Sequence, residues 1–171
     1  VGDVMLDRFV YGDVDRISPE APIPVLRITG EAVTVGGAGN VVRNLAALGT
    51  RTRLFGVVGD DASGREATEV LSTEQSVTLS LVADATRPTT VKTRFIAGGQ
   101  QLLRTDEEQL SALPDALLAE LAADVVGAVS GAGCGALILS DYGKGVLTNV
   151  MISAVMEAAR SVNATVIVDP K

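Results

Sequence analysis

Val33-Thr34-Val35-Gly36-Gly37-Ala38-Gly39-Asn40-Val41-Val42-Arg43-Asn44-Leu45-Ala46-Ala47-Leu48-Gly49 runs from a short β-branched segment through a glycine loop into a helical stripe, and this passage decides the fold. Val41, Val42, Leu45, Ala46 and Leu48 recur at the spacing of one apolar helix face, and Gly49 stands where a helix is stopped. Without Cβ atoms the loop backbone can approach a ligand closely, and Asn40 brings both a donor and an acceptor. Two other readings stay open. One is an αβ turn that uses glycine for geometry alone. The other is a dinucleotide fingerprint over Gly37-Ala38-Gly39-Asn40-Val41-Val42, with Asp60 about twenty residues on as the ribose ligand. Val42 stands at that fingerprint's third glycine position.

Working outward, residues 53–58 form a short apolar run stopped by Gly59-Asp60-Asp61, and residues 64–75 return to helical character with Ala67, Val70 and Leu71 inward. Residues 114–129 carry Leu117, Leu118, Leu121, Val125, Val126 and Val129 on a helical stripe, and the buried strand 136–139 follows. A further helix over residues 148–162, with Val150, Met151, Ala154, Val155 and Ala158 at core spacings, leads to the apolar run 165–168. Alternating strands and helices imply right-handed crossovers and a parallel sheet between helix layers. Two segments differ. Residues 16–28 contain Pro19, Pro22 and Pro24 before alternating character, the mark of an edge strand. Residues 88–96 and 100–104 alternate around Gly98-Gly99 and read as a β-hairpin.

Composition removes several function classes. The 171 residues carry 14 Lys and Arg against 21 Asp and Glu, a net charge of −7 that argues against a nucleic-acid surface. With no histidine and one cysteine, Cys134, the chain offers no Cys/His zinc site, internal disulfide or His general base. Five aromatic residues, two Tyr and three Phe, leave an aliphatic core. No apolar run has the length of a membrane span and no signal-type segment opens the chain, so the expected location is cytoplasmic. Both ends read as cut: Val1-Gly2-Asp3 reads as the end of a first strand, and Asp169-Pro170-Lys171 follows a strand directly. The expectation is therefore a partial domain.

In open parallel sheets ligands sit beyond the carboxyl ends of the strands. Four polar clusters fall there: Asp3 with Asp7, Asp60 with Asp61, Ser140-Asp141-Tyr142-Gly143-Lys144, and Asp169-Pro170-Lys171. Taken together with Gly36, Gly37, Asn40, Gly49 and Gly59, they resemble the ribokinase-like (PfkB) carbohydrate kinases. Val42 departs from that family's signature, where a small Ser, Thr or Ala is usual. Four stretches sharpen the likeness toward members acting on a heptose 7-phosphate: residues 2–8, 16–25, 100–106 and 139–145.

The resemblance implies a three-layer α/β/α fold with a mostly parallel central sheet and a small β-sheet lid, residues 1–171 forming its acceptor-sugar part. The lid would comprise about residues 9–35 and 89–104, exclude water and form a homodimer contact. The implied activity is transfer of the ATP γ-phosphate, with Mg²⁺, to a sugar phosphate, and neither nucleic acid nor membrane is an expected partner. Asp7, Gly36, Gly37 and Asn40 would hold sugar hydroxyls. Arg104 would clamp phosphate and Asp106 accept from a hydroxyl, a cross-strand ion pair being the rival reading. Asp141 would contact sugar, while Lys144, Asp169 and Lys171 would lie near the nucleotide phosphates. Lys144 could equally be a solvated helix-start residue. No residue here is assigned as catalytic base or metal ligand, because the family's Gly-Ala-Gly-Asp and Asn-x-x-Glu motifs do not occur in these residues. ATP and Mg²⁺ would be bound mainly by residues beyond Lys171.

Overall fold

The computed structural model describes residues 1–109, 111–131 and 133–171. In chain order its elements are β1 (Val4–Ile17), β2 (Pro24–Gly37), α1 (Ala38–Ala47), β3 (Thr52–Gly59), α2 (Ala62–Ser72) and β4 (Val77–Asp84). They continue with β5 (Val91–Ala97), β6 (Gln100–Glu107), α3 (Asp115–Ser130), β7 (Ala136–Ser140), α4 (Asn149–Ser161) and β8 (Thr165–Asp169).

Side-chain alternation along β3 sets the layers. Leu54 and Val58 join one buried cluster with Val42 of α1 and Ala67 and Leu71 of α2. Phe55 and Val57 join another with Leu121 and Val125 of α3 and Met151 and Val155 of α4. A strand buried on both faces belongs at the centre of a three-layer sandwich. β3 pairs in parallel with β4, and β7 with β8. Residues 1–3 join the two pairs: the Gly2 N–H donates to Phe55 O at 3.1 Å, the Asp3 N–H to Ser140 O at 3.3 Å, and the Ser140 N–H to Val1 O at 2.9 Å. The order is β4, β3, residues 1–3, β7, β8, with β4 parallel to β3, Gly2 parallel to β7 at Ser140, and β7 parallel to β8. Two residues depart from the expected helix stripes: Val150 lies 80% exposed while Met151 and Val155 turn inward, and Leu48, which follows the last residue of α1, is also 80% exposed.

A second sheet rises from this one in the order β2-β1-β5-β6. Its base is core, with Val4, Leu6, Val35 and Val91 buried, and its far half is exposed. The proline-rich segment leads into the edge strand β2, as expected from its missing N–H donors. Gly98 and Gly99, at φ 55° and 78°, close the β5–β6 hairpin. Asp7 and the glycine loop depart from the sequence expectation. Asp7 lies inside the long strand β1 rather than after a strand, and the expected glycine loop is not a separate loop: Gly36 and Gly37 end β2, which runs antiparallel to β1 outside the parallel sheet, and α1 begins at Ala38. A dinucleotide fingerprint needs its loop to follow a parallel strand of a βαβ unit, so this geometry removes that reading.

Asp61, expected at the ligand rim, caps α2. Its carboxylate accepts from Gly64 N at 2.7 Å, Thr89 N at 2.7 Å and Thr89 Oγ1 at 2.8 Å. Burial pushes this carboxyl up, but the Thr89 and Gly64 amides, the Thr89 hydroxyl and the Arg65 charge outweigh it and hold it below its ordinary value. A depressed carboxyl stabilises the fold above its unfolded pKa, about 3.9, and the gain is lost as pH falls through the lower folded value. Asp61→Ala is expected to cost about 1–2 kcal/mol near neutral pH, measured by urea denaturation. The difference from wild type should shrink as pH falls below the ordinary carboxyl value, and a cost that stays constant throughout the acid range would remove Asp61 as the source.

Candidate functional site

The site is built where the two sheets meet. β1 carries Asp7 beside Thr34 of β2 and Lys92 of β5. β5 in turn sets Lys92 opposite Asp106 and Arg94 opposite Arg104 of β6. Neighbours in register share a face, so one face of the second sheet displays Asp7, Lys92, Arg94, Arg104 and Asp106 together. The opposite face carries the buried Val10 and, beyond it, Val14, Leu26, Ile28, Phe95 and Leu103 in the same register.

The Asp7 carboxylate takes a hydrogen bond from Arg94 Nη1 at 2.5 Å, and the Arg94 guanidinium lies 5.3 Å from the centre of the Phe9 ring. Gly36 lies directly against the carboxylate, where any Cβ would overlap Asp7 Oδ2. Gly37 adopts φ 58° and ψ −136°, conformational space that side chains other than glycine's avoid, and a Cβ there would overlap Asp3 O. Ala38 N–H, the first of α1, donates to that same Asp3 carbonyl at 2.8 Å. Asn40 follows in the first helical turn and is exposed. Asp7, Gly36 and Gly37 are thus brought together at the start of α1, the two glycines buried, and Asn40 lies exposed in the first turn that follows.

Arg104 and Asp106 meet in a two-point ion pair, at 2.8 and 3.1 Å. Asp106 also accepts from Lys92 Nζ at 2.7 Å. The Lys92 hydrogen bond, aided by the Lys92 and Arg104 charges, holds the Asp106 carboxyl below the usual range despite the upward push of desolvation. Lys144 is neither free nor solvated: its Nζ lies 2.5 Å from Glu108 Oε2, and Lys92 Nζ lies 3.6 Å from the same oxygen. That hydrogen bond from Lys144 likewise lowers the Glu108 carboxyl. A chain of alternating charge thus runs from Arg104 through Asp106, Lys92 and Glu108 to Lys144, and any phosphate binding there must compete with carboxylates.

The remaining candidates share the carboxyl ends of β7 and β8. Asp141 N–H donates to Asp169 O at 2.9 Å, and the Asp141 side chain closes a turn on Gly143 N at 2.8 Å. Lys171 lies across Gly143. Asp169 and Lys171 are exposed.

Four contributors were not foreseen as site residues. Lys92 and Arg94 alternate along β5, a legible pattern whose meaning depends on the pairing with β1. Glu108 had no signal of its own. Arg87, its side chain 9% exposed, donates to Lys144 O at 2.8 Å and also to Ser111 O, with Asp84 3.6 Å away. Asp60, the ribose-ligand candidate of the discarded reading, sits 3.8 Å from Arg65 in a solvated pair.

Residues 1–171, the whole of this geometry, match the pfkB family carbohydrate kinases. The chain belongs to the pfkB family. Among curated proteins, the bifunctional protein HldE of Hyphomonas neptunium is 49% identical and that of Rhodospirillum rubrum 50% identical, each across 100% of this chain. The chain spans about a third of the length of these relatives, 35% and 34%. Two solved structures share the pfkB fold. The tetrameric inhibited form of phosphofructokinase-2 from Escherichia coli superposes with TM-score 0.72 at 21% identity, covering 99% of this chain and 52% of that one. A carbohydrate kinase from Agrobacterium tumefaciens gives TM-score 0.65 at 17% identity, covering 98% and 51%. The pfkB kinase fold is thus present over this chain, its central sheet and second sheet included. No helix among the described residues is long and apolar enough to cross a membrane.

Proposed function

We propose that this chain is the acceptor-binding part of a cytoplasmic kinase that transfers the ATP γ-phosphate to the anomeric hydroxyl of D-glycero-β-D-manno-heptose 7-phosphate. The observation that carries the reading is the Asp7 carboxylate set against the side-chain-free backbone of Gly36, beside a sheet face bearing Lys92, Arg94 and Arg104. Carboxylate and amide suit sugar hydroxyls, and the cations suit a phosphate on the same molecule. The stretches 2–8, 16–25, 100–106 and 139–145, with identity to HldE proteins along the whole chain, support heptose 7-phosphate as the acceptor.

Asp7, Gly36, Gly37 and Asn40 bind and orient the sugar. Arg104 clamps its phosphate after exchanging Asp106 for it, and Asp106 turns to a hydroxyl. Asp141 contacts the sugar from the other side of the rim, while Lys144 and Lys171 offer positive charge to the transferred phosphoryl. The second sheet is the lid, about residues 9–35 and 89–104, which excludes water when it closes. Its apolar face, with Leu103 56% and Ile28 55% exposed, is the homodimer contact.

Magnesium on a nucleotide asks for one or two carboxylates, with phosphate and water as its other ligands. The exposed Asp169 carboxylate beside Asp141 and Lys171 fits that limited demand. When bound, the ion supplies charge neutralisation for the transferred phosphoryl. The attacking hydroxyl must lose a proton, and we place its base outside these residues. The isolated chain accordingly binds sugar weakly and does not turn over.

A panel assay of the full-length protein with Mg·ATP and heptose 7-phosphate, tagatose phosphate, ribose or fructose tests the assignment. Heptose 7-phosphate should lead in kcat/KM by about 100-fold or more, the discrimination expected of a site that must fill its polar partners. A preference for any of the others overturns the acceptor assignment. Sedimentation of Leu103→Glu should show monomers where wild type shows dimers, and an unchanged dimer removes the lid contact.

A further inference from the structure

Asp3 was expected at the ligand rim, yet it is 1% exposed and lies beneath the β7 loop. Its carboxylate receives three backbone N–H groups from that loop: Tyr142 at 2.8 Å and Lys144 at 3.0 Å on Oδ2, and Val146 at 3.2 Å on Oδ1. Its own peptide N–H donates to Ser140 O and its carbonyl receives Ala38 N–H, so one residue fastens the β7 loop and the start of α1. The main-chain bonds would survive any side-chain change at position 3. The three carboxylate bonds would not. The Lys144 peptide is held from both sides, since its N–H meets Asp3 while its carbonyl accepts from Arg87 at 2.8 Å.

A buried carboxylate without a hydrogen-bonded cation is costly unless N–H donors saturate it. Here every donor comes from the segment that carries Lys144. A neutral side chain of the same shape would accept less well from that segment and loosen it selectively, while α1 and the Gly36-Gly37 turn keep their main-chain anchors.

We propose that Asp3 is a positioning residue for phosphoryl transfer: it acts through the loop over residues 142–146 to hold the Lys144 ammonium in place. The inference rests on the reading that Lys144 serves the transferred phosphoryl. It predicts that loss of the Asp3 charge lowers turnover and leaves acceptor binding nearly intact, because Asp7, Gly36 and Asn40 do not depend on the carboxylate.

The test is a double-mutant cycle in the full-length protein with Asp3→Asn, Lys144→Met and the pair, measuring kcat and the acceptor KM. Asp3→Asn should lower kcat roughly 10- to 100-fold, the scale of a displacement on the order of 1 Å in a positioned group, with KM changed less than about threefold. In the Lys144→Met background it should cost nothing further. Losses that multiply, or an unchanged kcat in Asp3→Asn beside a reduced one in Lys144→Met, overturn the proposal and leave the Lys144 reading standing. A silent Lys144→Met overturns both. If Asp3→Asn does not fold, Gly145→Ala serves instead. Gly145 holds φ 98°, so a side chain there strains the same loop with Asp3 intact. It should reproduce the kcat loss at constant KM, and full activity would again overturn the proposal.

Discussion

Asp7→Ala in the full-length protein is expected to reduce kcat/KM for the acceptor sugar by about 10²–10³-fold, with most of the loss in binding. The magnitude follows from the contacts available to the carboxylate. Hydrogen bonds to a charged group contribute about 1.5–3 kcal/mol each, and two such bonds to sugar hydroxyls at the lower end of that scale, about 3–4 kcal/mol together, account for the range at about 1.4 kcal/mol per tenfold. Removal also takes from Arg94 the carboxylate to which its Nη1 donates at 2.5 Å, leaving that guanidinium free beside the site. Asp7→Asn keeps the shape but neither the ion pair nor the full acceptor strength, and its loss should lie between wild type and Asp7→Ala. The side chain is 17% exposed and paired with Arg94, so the melting temperature should be recorded to separate lost stability from lost sugar binding. Wild-type kinetics in Asp7→Ala would show that the sugar is held elsewhere.

Gly36→Ala should be nearly as damaging although it removes no functional group. The new methyl would overlap Asp7 Oδ2 and lie 2.8 Å from Met5 Cγ, and neither the strand backbone nor the buried Met5 side chain gives way freely. The carboxylate is the movable partner. We expect it to swing away from the patch and raise the acceptor KM roughly 10- to 100-fold, as misplacement of a positioning group does, with kcat reduced less. Steady-state kinetics at saturating ATP separates the two parameters. A Gly36→Ala protein with unchanged KM would mean that the open backbone beside Asp7 contributes nothing to sugar binding. Overlap of this kind also strains the pairing of β1 with β2, so the melting temperature should be recorded with the kinetics.

Much of this arrangement is legible in the residues. The period of residues 41–48 gives α1, Gly49 its end, and the three prolines before β2 an edge strand, because each is a local property of the chain. The alternation Val77, Leu79, Leu81 fits β4, but no glycine or proline between residues 65 and 87 marks where such a strand starts or stops. Asp61 also carried a usable signal, an Asp directly before a helical stripe, and reads equally well as rim or cap until Thr89 is seen beside it.

What the residues could not give is depth and partnership across long separations. Asp3 and Asp7 look alike in Gly2-Asp3-Val4-Met5-Leu6-Asp7, but one is sealed by amides about 140 positions away and the other opens to the site. The direction of β1 against β5 is similarly invisible, and only that parallel pairing puts Lys92 and Arg94 on the face of Asp7. Whether Lys144 stands free or paired depends on Glu108, 36 residues earlier in an irregular segment. Charge type was readable at each position. Charge pairing required the fold.

A crystal structure of the full-length protein with the acceptor sugar phosphate and a non-hydrolysable ATP analogue tests the central claim most directly. Sugar hydroxyls should lie within hydrogen-bond distance of the Asp7 carboxylate and the Asn40 amide, the ring should pass over the Gly36 backbone, and the sugar's phosphate should contact cations of the second sheet. A sugar bound on any other surface, with Asp7 still paired to Arg94 and no ligand against Gly36, would contradict the account.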